Sequence, residues 1–179
     1  MEKILRGLKK AALPALYIAF VLVLDQLVKN WAAENLPGKP IELLPGVFHL
    51  TYATNAGAAW SILSGSRAVL ILISLAAFGL IGWLFKAGHM HTPVLRWTMY
   101  SVLGGALGNL WDRLLRPDGL VIDLFYVKLI EFPIFNVADI FITVGGTLFV
   151  IAYFLDFLKT ERDAKAKKAA ETEPPDDPA

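Results

Sequence analysis

Four stretches of the chain are apolar over nearly the length of a bilayer-crossing helix: Leu13 to Leu24, Ala68 to Phe85, Val94 to Leu110, and Ile134 to Leu158. Crossing takes roughly 20 such residues, and the first stretch reaches that length by running on through Asp25 to Ala33. The pattern predicts an all-α membrane protein with four transmembrane helices, over about residues 13–33, 67–86, 94–113 and 134–158. Between the first two, "GVFHLTYAT" (Gly46 to Thr54) alternates, with Phe48, Leu50 and Tyr52 on one side and His49, Thr51 and Ala53 on the other. Period-2 alternation after Pro45-Gly46 predicts a small antiparallel β-sheet in the first extracytoplasmic loop. Neither a repeat nor a domain boundary breaks residues 1–158, which read as one four-span domain. Residues 159–179 turn from basic to acidic and end "ETEPPDDPA", too polar to bury a core, which predicts a disordered cytoplasmic tail.

Composition agrees with a membrane protein: 56% of residues are hydrophobic, 18% charged, and mean hydropathy is +0.54. Lys3, Arg6, Lys9 and Lys10 before the first apolar run resemble the start of a signal peptide. No small-x-small cleavage site follows, however, and three further spans do. Eleven of the 17 lysines and arginines fall on the side shared by the termini and the second loop, against six in the two longer loops. By the positive-inside rule both termini are cytoplasmic and loops 30–66 and 112–133 lie outside. With no cysteine, thiol nucleophiles and cysteine-ligated metals are excluded.

Polar groups within spans are costly unless partnered, and so mark candidate sites. Asp25 and Lys29 stand at i and i+4 near the end of the first span, suited either to an ion pair or to an interfacial lysine that snorkels. Gly104 and Gly108 form a small-xxx-small surface. Asn109, Asp112 and Arg113 follow at i, i+3 and i+4, predicting projection from one helix face. Asp123 lies between apolar neighbours beyond the Asp118-Gly119 turn. Asn136 and Asp139 are at i and i+3 where the fourth helix begins after Pro133, and the helix dipole favours a carboxylate in its first turns. If the loop folds back, Asp123 and Asp139 meet. Two carboxylates in a low-dielectric site share a proton, so that one is an acid while the other, as base, activates water. Asp25, Asp123 and Asp139 also suit a relay in a small proton-coupled transporter, although the carboxylates cluster at one face with none near the midplane.

Other chemistries fit less well. His89 to His91 ("HMH") has no glutamate at helical spacing and reads as a solvated loop. Ser61 and Ser64 lack a Gly-x-Ser-x-Gly turn, and His49 is in strand-like sequence. Trp31, Trp60, Trp83, Trp97 and Trp111 mostly mark span ends, where indoles anchor at the interface.

Five blocks in order resemble the bacterial lipoprotein signal peptidases, the type II signal peptidases: Asp25-Gln26 with Lys29; Asn55-Ala56-Gly57-Ala58-Ala59-Trp60-Ser61; Gly104 through Arg113 ("GGALGNLWDR"); Val121-Ile122-Asp123; and Phe135-Asn136-Val137-Ala138-Asp139. The resemblance runs from about Leu13 to Leu158. It departs at Leu124, where many members carry phenylalanine.

The resemblance implies a multi-pass, monomeric enzyme of the bacterial inner membrane with its active site at the extracytoplasmic face. Such enzymes remove signal peptides from diacylglyceryl-modified prolipoproteins, cleaving before the lipidated cysteine, with no metal, cofactor or nucleic acid. It implies that Asp123 and Asp139 are the catalytic dyad and that Asn55, Asn109, Arg113 and Asn136 hold substrate or dyad. Gly57, with Ala58 and Ala59, would let substrate backbone approach, and Asp25, Lys29 and Asp112 would be structural polar residues.

Overall fold

The computed structural model describes residues 2–57, 63 and 65–172, with side chains from residue 12 to residue 168 outside the gaps. The element order is α1 (Glu2–Asn35), β1 (Ile41–Leu44), β2 (Phe48–Asn55), α2 (Arg67–Lys86), α3 (Pro93–Leu115), β3 (Val121–Val127), a 3-10 turn (Lys128–Ile130) and α4 (Val137–Thr172).

α1 is apolar where it faces outward and carries charged residues inward. On α1, Leu13, Leu16, Phe20, Val23 and Leu27 are exposed at three- and four-residue spacing, whereas Val21, Asp25, Lys29 and Ala32 are buried on the opposite face. This reverses the arrangement of a helix that packs in water. Among the described residues, three helices are long and apolar enough to cross a membrane: Ala12–Asn35 within α1, α2, and Val137–Lys168 within α4. α3 is more polar, carrying Arg96, Asn109, Asp112 and Arg113, and it packs against all three others. A helix surrounded by protein needs little apolar surface of its own.

Glycines allow α3 to approach its neighbours. A methyl at Gly104 would lie 2.7 Å from Val21 Cβ and one at Gly108 2.5 Å from Asp25 Oδ2, both on α1, while one at Gly105 would overlap the Ala138 carbonyl oxygen on α4. The expected small-residue surface at Gly104 and Gly108 thus faces α1. α3 begins at Thr92, whose side chain accepts from Leu95 N–H, with Pro93 just inside.

The sheet is three-stranded and antiparallel in the order β1-β2-β3. Its third strand comes from the second long loop, so the sheet is not confined to the first loop as the alternation predicted. Ala53 pairs with Asp123 and Asn55 with Val121, across an irregularity between Leu50 and Ala53. Ile122 and Leu124 pack with Ala32 and Leu36, seating the sheet on the end of α1. Phe135 pairs with Phe125, so residues 134–135 run beside β3 and α4 begins only at Val137.

α4 stays helical through Thr172, where a disordered tail was expected from residue 159. Low hydropathy says nothing about helix propensity, and "KTERDAKAKKAAET" is rich in strong helix formers, with a Glu161–Lys165 pair at i, i+4. Residues 173–179 lie outside the described residues, as do Ala58, Ala59, Trp60, Ser61 and Ser64. Trp31, Trp83 and Trp111 are exposed, whereas Trp97 packs edge-on to Tyr17 at 5.2 Å.

Candidate active site

β3 and the start of α4 bring the two expected aspartates to one cavity. Asp123 is on the middle of β3 and is buried. Asp139 is in the first turn of α4 and is half-buried. Asn136 joins them: its Nδ2 donates to Asp123 Oδ1 at 2.6 Å and its Oδ1 accepts from Asp139 N–H at 2.9 Å. Its own backbone N–H donates to Asp139 Oδ2 at 3.1 Å. This exchange is a capping box with aspartate at the third helical position, so the bonds that start the helix also hold the carboxylate.

Asp123 also accepts from Asn55 Nδ2 at 3.2 Å. Burial pushes its carboxyl from the ordinary 3.8 up to about 7, and the charge of Asp139 acts in the same direction. Asp139 Oδ1 accepts from Asn109 Nδ2 at 2.8 Å. Arg113 donates to the carbonyls of Gly57, at 2.9 Å, and Asn109, at 3.1 Å, tying the segment after β2 to α3. Gly57 N–H in turn donates to Asn55 Oδ1 at 2.8 Å.

The cavity has a volume of about 790 Å³. Asn55, Gly57, Asn109, Arg113, Asp123 and Asp139 are at its polar end. Leu70 and Ile73 of α2 and Ile140 and Val144 of α4 form apolar walls that carry it between these two helices. Of the expected substrate- or dyad-supporting residues, Asn136 alone does not line it and is fully buried behind.

Asp25, Lys29 and Asp112 form a separate cluster behind the cavity. Lys29 Nζ lies 2.8 Å from Asp25 Oδ2 and 2.8 Å from Asp112 Oδ2, all three side chains being fully buried. The lysine is therefore an ion-pair partner and does not snorkel. Asn109 and Asp112, expected to project from one helix face, both reach Lys29, whereas Arg113, expected on the same face, reaches the carbonyls of Gly57 and Asn109. Two contributors carry no role in the sequence reading, Gln26 standing there only within a matching block. Gln26 Nε2 donates to Asp112 Oδ1 at 3.0 Å, and Arg116 Nε meets the same oxygen at 3.1 Å. Both lie next to, or one helical turn from, charged residues already marked, which was the available signal. At the far end His91 Nε2 is 2.8 Å from Asp156 Oδ2, on the surface.

A family model described as signal peptidase (SPase) II matches residues 17–155. The lipoprotein signal peptidase of Latilactobacillus sakei is 39% identical over 143 residues, covering 79% of this chain and 91% of that protein. Its counterpart from Nostoc punctiforme is 40% identical over 154 residues, covering 78% and 87%. A solved structure described as a bacterial membrane enzyme, obtained by the in meso method, superposes with a TM-score of 0.75 at 31% identity, covering 82% of this chain and 90% of that one. The chain belongs to the signal peptidase II family.

Proposed function

We propose that the chain is an aspartic endopeptidase that removes signal peptides from diacylglyceryl-modified prolipoproteins, with Asp123 and Asp139 as its catalytic pair. One observation carries the reading: both carboxylates line the polar end of one cavity, held by a single asparagine, Asn136, whose side-chain Nδ2 donates to Asp123 and whose backbone N–H donates to Asp139. In this reading Asp123, the more buried partner, keeps the shared proton, and Asp139 faces the substrate water.

Asp139 takes a proton from water as its oxygen attacks the scissile carbonyl carbon, and Asp123 gives its proton to the carbonyl oxygen. In the resulting diol the carbon–nitrogen bond breaks as the nitrogen receives the proton held by Asp139. The products are the carboxyl end of the signal peptide and the free amine of the lipidated cysteine. Asp123 recovers a proton from the collapsing diol. Acid and base both come from the pair, so the proposed route uses no metal.

Asn55 and Gly57 border the position of the peptide backbone, and the apolar walls from α2 and α4 suit two acyl chains. The chain then works as a monomer in the bacterial inner membrane, with four spans, cytoplasmic termini, residues 159–179 in the cytoplasm, and the site at the outer face.

Cleavage of a diacylglyceryl-modified prolipoprotein by purified protein in detergent, followed by gel shift, tests this. The expected result is cleavage by the parent, loss in Asp123→Asn and Asp139→Asn variants with parental unfolding transitions, and no effect of chelator. Full cleavage by either folded variant would remove the dyad.

A further inference from the structure

Lys29 is buried completely on a face of α1 that could have been apolar. Replacing a buried ion pair with apolar residues is often neutral or stabilising, so stability alone does not account for the ammonium group. Its three N–H donors have three acceptors: Asp25 Oδ2 and Asp112 Oδ2, each at 2.8 Å, and Asn109 Oδ1 at 2.9 Å. The third partner is neutral and belongs to the residue that donates to Asp139.

We infer that Lys29 is a positioning residue for the Asp139 carboxylate, acting through the Asn109 amide; this rests on the aspartic reading above. An asparagine amide has an oxygen and a nitrogen at nearly equivalent positions, and a half-turn exchanges them. An ammonium only donates, so the amide end that meets Lys29 must be the oxygen. Asn136 Nδ2 donates to that same oxygen at 3.1 Å. With two donors on Oδ1, Asn109 Nδ2 is left facing Asp139 Oδ1 at 2.8 Å. A flipped amide would set an acceptor against the carboxylate.

The cluster also sets the backbone beneath that carboxylate. Asp25 uses its second oxygen to accept from Ala138 N–H at 2.9 Å, one residue before Asp139. Lys29 thus anchors both the donor that orients Asp139 and the acceptor that holds its helical turn.

Lys29→Met alone would leave Asp25 and Asp112 sharing one buried site without their counter-ion and risks unfolding. The test therefore uses an Asp25→Asn background, in which Asp112 keeps Arg116. Lys29→Met and Asn109→Ala are added singly and together, with thermal unfolding of each variant and kcat and KM for prolipoprotein cleavage. Lys29→Met is expected to lower kcat about 10- to 100-fold, as for a misplaced catalytic group, with KM little changed. Once Asn109 is alanine, the same substitution should cost no more than about twofold. An equal loss in both backgrounds, or an unchanged kcat, would overturn the inference. If Asp25→Asn weakens the fold, Asp112→Asn supplies the background with the same expectations. Asp123→Asn and Asp139→Asn run in parallel: cleavage surviving there defeats the dyad itself, whereas an additive lysine effect with inactive dyad variants defeats only the role of Lys29.

Discussion

Asp123 has chemistry that costs stability, and the cost has a sign. Its carboxyl is pushed up to about 7 from 3.8, chiefly by burial, so the folded chain binds a proton here that the unfolded chain has released between about pH 4 and about pH 7. That contribution to stability is complete below the unfolded value and is lost as pH rises through the folded one. The melting temperature in detergent should therefore decline across this window, and Asp123→Asn, which cannot ionise, should flatten the decline and melt higher than the parent above about pH 7. Equal slopes for parent and variant would contradict the assignment. The proposed acid role places the alkaline limb of the kcat/KM profile in the same region, since the pair fails once its shared proton is gone. In the proposed role, a group that is costly to fold would be retained for turnover, the trade expected of catalytic machinery.

At the scale of elements, the site depends on how closely α3 approaches the starts of its neighbours. Gly108→Ala would set a methyl 2.5 Å from Asp25 Oδ2, and Gly105→Ala would set one against the Ala138 carbonyl. Each should cost about 1–3 kcal/mol, as overpacking does, and should reduce cleavage, because both displace the first turn of α4 that carries Asp139. Gly146 is on the same helix as Asp139 but has open space where a methyl would go. Gly146→Ala should leave melting and cleavage at parental levels or raise the former; a loss there as large as at Gly108 would mean that helix propensity or lipid contact, and not packing, explains the glycines. These dependences also show what was legible beforehand. Alternation exposed β2, and polar residues in apolar runs exposed Asn109, Arg113, Asp123 and Asp139 at the polar end of the cavity, whereas Asn55 and Gly57 came from the resemblance and the apolar walls were not singled out. β3 was missed because "VIDLFYV" gains its strand character from pairing with a distant partner, as Asp123 does opposite Ala53. The helical extension to Thr172 was missed because hydropathy was read where propensity governs. That Arg113 does not join Asn109 and Asp112 at Lys29 depends on the carbonyl of Gly57, a tertiary contact that spacing does not encode.

Over the whole molecule, the proposal requires four crossings, and α3 is the helix whose crossing is least evident from hydropathy. α1, α2 and α4 qualify by length and apolar composition, while α3 has fewer apolar residues because the others surround it. Its 23 residues extend about 34 Å at the helical rise, enough to cross hydrocarbon. In the proposed topology, which the charge asymmetry favours, residues 87–92 are inside and residues 116–133 outside, so the two ends of α3 would be on opposite sides. The chain has no cysteine, so a single introduced one reports its own side. In spheroplasts, a membrane-impermeant maleimide should label Lys39→Cys and Asp118→Cys, and should reach His89→Cys and Thr160→Cys only after permeabilisation. Equal labelling of positions 89 and 118 in intact spheroplasts would mean that α3 does not cross. Asp123 would then lose its place at the outer surface, and the dyad could not meet a prolipoprotein there.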